Sequence, residues 1–214
     1  MADLSLPFSA SDVLERVIPG SLVLASYGYA FDGFQHVPPF LNNAIIAPVI
    51  FFSCAYAVGV GLNAVAGFVK IREYRKYWSS QPTEREVAIK NAIELHFKIH
   101  ADDEVWRLCY GTCAKNGYGS NTPLFLGIEV FCRAMTIVAL LAAIAFVIAL
   151  YRRWTDIALH LVLTSVSLAL AWIFHRGARI YSQAFVASIY EGFFSWYCDN
   201  RNSRNSIPDT SKGT

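Results

Sequence analysis

His96 and His100 stand four residues apart, and so, a little further on, do Cys109 and Cys113. On helices each pair would share one face, because residues four apart lie one above the other. Two imidazoles and two thiolates from a helical hairpin are the donor set of a tetrahedral zinc site. The spacing departs from finger patterns, and the same residues also suit the core of a small hairpin. With Asp102 and Asp103 nearby, the cluster offers a base and a thiol. No phosphate loop, dinucleotide fingerprint, nucleophile elbow or zinc-protease helix accompanies it. The sequence therefore predicts a non-enzymatic protein without a cofactor. A membrane metalloprotein or enzyme using His96, His100, Cys109 and Cys113, with zinc as the metal, is the alternative, beside a small-solute channel or transporter.

A second set of polar residues lies inside apolar runs. Glu129 and Arg133 are four apart near the start of the longest run. Ionisable groups there pair with each other or line a water-filled path. His160, Thr164, Ser167, Ala171 and His175 form one stripe on a helix that is otherwise apolar, and such a stripe must face protein or water. Ala55, Gly59, Asn63 and Gly67 recur every four residues. Small residues let two helix backbones approach in lipid, and Asn63 can hydrogen-bond across the contact. This stripe serves packing within one chain or a seam between subunits.

The elements that carry these residues are membrane helices. The 214-residue chain is 55% hydrophobic and 16% charged, against roughly 25% charged in an average soluble domain. Residues 124–151 are apolar except for Glu129 and Arg133, long enough for the ~20 residues a helix needs to cross the hydrocarbon core. Further apolar segments cover 13–31, 44–69 and 157–174. The fold predicted is all-α, with about four transmembrane helices. Residues 1–76 would form an N-terminal membrane hairpin and 124–175 a C-terminal one. Between them, 77–123 would form a cytoplasmic helical hairpin, opened by the capping box Thr83–Glu86. Residues 176–198 would be an amphipathic helix, extending the last span or lying on the membrane surface, and 199–214 a disordered tail.

Of the eighteen lysines and arginines, all but Arg133, Arg152 and Arg153 fall on the side of the 70–123 segment. The positive-inside rule then places both termini in the cytoplasm. The N-terminus does not resemble a cleaved signal peptide, and five cysteines, an odd number, do not form a secreted disulfide framework. A net charge of +2 gives no reason to expect nucleic-acid binding.

Ile18-Pro19-Gly20 at the head of the first apolar segment, the four-span plan and the compact cytoplasmic insert together resemble small bacterial multi-pass proteins encoded beside antiviral systems. These include membrane accessories of CRISPR and related phage-defence loci. The resemblance is one of layout across the whole chain. It implies an inner-membrane sensor or pore-forming effector that assembles as a homo-oligomer and meets a cytoplasmic protein partner.

Overall fold

The structure, a computed structural model, describes residues 12–31, 46–68, 77–79, 81–102, 105–152 and 156–205. The expected loop at 32–43, the basic flank 70–76, Asp103 and the tail from 206 lie outside the described residues. A π-helical turn (Val13–Val17) leads directly into α1 (Ile18–Ala30). It is followed by α2 (Ile46–Phe68), α3 (Glu84–Phe97), α4 (Trp106–Asn116), α5 (Thr122–Arg152) and α6 (Ile157–Asn205). The described residues contain no strand. Three segments are long and apolar enough to cross a membrane: Ala47–Gly67, Thr122–Arg152 and Ile157–Asn202. The chain is an all-helical membrane protein.

Chain contacts divide it into two units. The first comprises Met1–Lys70 and Gly127–Ile180, the second Ile71–Leu126 and Tyr181–Thr214. This partition departs from the expected sequence of separate segments. The segment 176–198 is no separate interfacial helix. It continues α6, whose 49 residues amount to roughly 74 Å at 1.5 Å per residue, far more than a bilayer core of ~30 Å. Helix also persists through 199–205, where a disordered tail was expected. Part of the reason is the Tyr118 hydroxyl, which donates to Asp199 Oδ2 at 2.7 Å and anchors the last turns.

In the first unit, helices pack through small side chains. Ala30, Ala145 and Ala149 are fully buried together, and Leu62, Met135 and Val138 form a second cluster. The outward residues are large and apolar, among them Phe52, Ile144, Val147, Val162 and Trp172. That is the inverse of a soluble bundle and suits hydrocarbon surroundings.

The second unit has an aromatic-rich core of soluble type. Ile89, Ala92 and Ile93 of α3 and Cys109 and Cys113 of α4 pack on Phe185, Val186, Ile189, Tyr190 and Phe193 of α6. The expected hairpin is therefore two sides of a three-helix arrangement, and the amphipathic face of 176–198 is spent on protein packing. Thr83 accepts from the Glu86 amide while the Glu86 carboxylate accepts from the Thr83 amide, so the capping box forms. Arg85 of α3 binds Glu191 of α6 through Nε at 2.9 and 3.0 Å.

Two glycines of α2 have opposite surroundings. A Cβ at Gly59 would overlap the Arg16 carbonyl, whereas a Cβ at Gly61 would meet nothing. Gly59→Ala is expected to lower stability by about 1–3 kcal/mol, the usual cost of overpacking. Gly61→Ala should be neutral or stabilising by up to about 1 kcal/mol, through the reduced backbone entropy of the unfolded chain. Thermal unfolding of both variants in one detergent distinguishes them.

Candidate functional site

Pro19 has no N–H, so the carbonyl of Glu15, four residues back, loses the donor an α-helix would give it. A carbonyl left bare in a protein interior is costly, and a neighbouring side chain can supply the partner. Here Asn63 Nδ2 of α2 donates to Glu15 O at 3.1 Å. The π turn places its break at the same point, with the Ile18 amide bonded to Val13 O. Close approach makes the bond reachable. Gly20 lies against the backbone of Ala55, and Gly59 against that of Arg16, with Ala55 fully buried. Three members of the small-residue stripe, Ala55, Gly59 and Asn63, are thus used within the chain. Gly67 is exposed.

Charged groups near this junction are paired. Arg16 Nη1 donates to Asp12 Oδ1 at 2.7 Å and to the Tyr56 hydroxyl at 2.6 Å, and its guanidinium lies 5.4 Å from the Tyr56 ring centroid. Further along, Arg133 Nη2 donates to Glu129 Oε1. Glu129 is fully buried, and the Arg133 side chain is 17% exposed. A charge pair this deep offsets the expulsion of both ions from water only while both members remain.

The polar stripe of α6 faces inward at three positions: His160, Ser167 and Ala171 are buried, while Thr164 and His175 are half-buried. His160 Nδ1 lies 2.8 Å from the Asp156 carbonyl, which can only accept, so the proton sits on Nδ1. Nε2 then takes the Tyr29 hydroxyl at 3.4 Å as its donor. Thr164 Oγ1 donates to His160 O at 2.8 Å. The stripe joins α6 to α1 and to its own backbone.

In the second unit the expected metal ligands do not converge. Cys109 and Cys113 point into the core, and Cys113 Sγ donates to Ile189 O at 3.5 Å. Burial pushes the Cys109 thiol up to about 12 and the Cys113 thiol up to about 11. The exposed His96 meets Phe97, Trp196 and Tyr197 edge-on and Phe193 at a tilt. The exposed His100 pairs through Nδ1 with Glu94 Oε1 at 2.9 Å. Cys109 and Cys113 do share a face of α4, and that face is core. His96 and His100 share none: α3, expected to run to about His100, ends at Phe97, where Lys98 turns left-handed at φ 56°. Among the described residues no group of three or more His, Cys, Asp or Glu side chains is placed to hold a metal ion.

Sequence reasoning missed the partners of these groups: Tyr56 for Arg16, Tyr29 for His160 and Glu15 O for Asn63. A signal existed for the last, since a proline four residues after Glu15 announces an unserved carbonyl. No protein-family model, curated protein or solved structure matches the chain.

Breaking the buried pair by Glu129→Gln or Arg133→Met is expected to cost about 3–5 kcal/mol, and the double variant should recover most of that. Equal, additive losses in a double-mutant cycle would show that the two charges act independently. Cys109 and Cys113 should resist alkylation at neutral pH in the folded protein and react once it is unfolded. Their thiols keep protons that the unfolded chain releases, so the stability of the second unit should fall as pH rises from about 9, the ordinary thiol value, towards 11–12. Tryptophan fluorescence during unfolding at stepped pH reads that slope, and a rise in stability over the window would contradict it.

Proposed function

We propose that the chain is a non-enzymatic integral membrane protein that self-assembles and couples a cytoplasmic partner or signal to its membrane helices. What carries this reading is α6: one uninterrupted helix supplies residues to both units. The fourth span, built from the π turn and α1, both cytoplasmic termini and the inner-membrane location belong to this proposal. So does the pathway: on the resemblance drawn from its layout, the protein is a sensing or pore-forming component of bacterial antiviral defence.

Of the two roles open to the small-residue stripe, packing within one chain takes up Ala55, Gly59 and Asn63, so self-assembly would use another surface. With Ala55, Gly59 and Asn63 taken up inside the chain, the opposite face of α2 presents Ala57, Gly61 and Ala64 exposed. That face accommodates the backbone of a second copy.

Native mass in nanodiscs tests the proposal. A closed ring is expected for the wild type, with conductance in liposomes, and Gly61→Leu should reduce it to monomers without unfolding them. A monomeric wild type that conducts no ions would sink the idea.

A further inference from the structure

The second unit carries a groove of about 420 Å³ between α3 and the last turns of α6. It exists because Ala88 and Ala92, one turn apart, put nothing into the space beside Leu95 and Phe194. Its volume lies within the range of small-molecule sites, ≈ 300–1,000 Å³, and is too short for a docked helix of several turns. Apolar atoms form most of the lining, and its polar groups come from Asn91, Tyr197, Cys198, Arg201 and Asn202, with Arg201 the one charge among them. Among the described residues no carboxylate pairs with Arg201, and neither Asn91 nor Asn202 uses its side chain in a hydrogen bond. The nearest carboxylate in sequence, Asp199, accepts from Tyr118 instead.

From this lining we infer that the groove binds an anionic amphiphile: an apolar tail along Ala88, Ala92, Leu95 and Phe194, with a carboxylate or phosphate head on Arg201 and the two amides. A guanidinium is the side chain best matched to either head group, because its forked N–H groups meet two oxygens at once. The amides add donors without adding charge. A cationic or neutral amphiphile would fill the same apolar floor but leave Arg201 unmatched. The purely apolar recess formed by Leu140, Ala143, Val147 and Leu168 on α5 and α6 makes a useful contrast. Its one hydroxyl, that of Thr164, is already bonded to His160 O, so it offers no head-group site and any bilayer chain can cover it. This inference stands apart from the coupling proposal, since it needs neither self-assembly nor conductance.

Cys198 lines the groove and is half-buried, which makes it an internal reporter. Full-length protein in phosphatidylcholine nanodiscs is alkylated, and labelling at Cys198 is followed by peptide mapping. Laurate or dodecyl phosphate should slow Cys198 labelling in the folded protein and leave it unchanged in the unfolded chain, which has no groove. Dodecanol should protect less, and dodecyltrimethylammonium not at all. Arg201→Gln is expected to weaken protection by the anions about tenfold, the loss of one charge-assisted hydrogen bond. Ala88→Leu, at an exposed helical position that tolerates the change, should abolish protection by filling the floor. Protection in phosphatidylglycerol nanodiscs without additive identifies the source as a bilayer lipid; protection by added laurate alone identifies a free amphiphile. Equal protection by anionic and cationic amphiphiles overturns the inference, as does protection by none, which would leave the groove to a protein partner.

Discussion

A single missing N–H sets the terms for the membrane unit. Pro19 cannot serve the Glu15 carbonyl, and a buried carbonyl left unserved costs about 1–3 kcal/mol. The amide of Asn63 answers it, but an amide can reach across only if the two helix backbones nearly touch. Contact at that range admits no Cβ at Gly20 or Gly59. The break in the helix, the polar residue on the next one and the small stripe are consequences of one constraint. They are a coupled set: enlarging either glycine would separate donor from acceptor as well as creating a clash.

The second unit obeys the opposite solvent logic. Its interior is built from large apolar and aromatic side chains, and its polar links lie at the surface, as in Arg85–Glu191 and Tyr118–Asp199. Tyr77, Trp78 and Tyr190 stack within 5.0 Å of one another, and Trp78 and Tyr190 both donate to the Asp102 carbonyl. These contacts tie the chain on both sides of α3 to α6. The same helix that presents large apolar residues outward over its first half turns them inward over its second. A change in what surrounds the helix accounts for the change in pattern without any break in the helix itself.

The local features were legible because their causes are local. The capping box Thr83–Glu86 needs only residues three apart, and a long apolar run such as 124–151 reads as a membrane helix by composition alone. The pairing of Glu129 with Arg133 follows from spacing on one helix. What was not legible depends on partners distant in sequence. Periodicity announced that Ala55, Gly59 and Asn63 share a face, but not that the face would meet a π turn 48 residues before Asn63. In the same way, i,i+4 spacing put Cys109 with Cys113 on one face but could not say that this face would turn inward, nor that α3 would stop at Phe97 before reaching His100. The core took the thiols, since a protonated thiol is apolar enough to bury without a charged partner. The imidazoles stayed where water reaches them.

This distribution bears on what the membrane helices can do. A path for ions or protons needs polar groups that are free to exchange partners along its length. In the first unit Arg16 is held by Asp12 and Tyr56, His160 by Asp156 O and Tyr29, and Arg133 by Glu129. The Tyr56 and Tyr29 bonds join helices, the Asp156 carbonyl bond lies at the start of α6, and the Glu129–Arg133 pair spans one turn within α5. Polar groups committed in this way stabilise one packing of one chain. In the pore-forming version of the proposed function, a conducting route between copies would leave these bonds intact, whereas a route through one chain would have to exchange them.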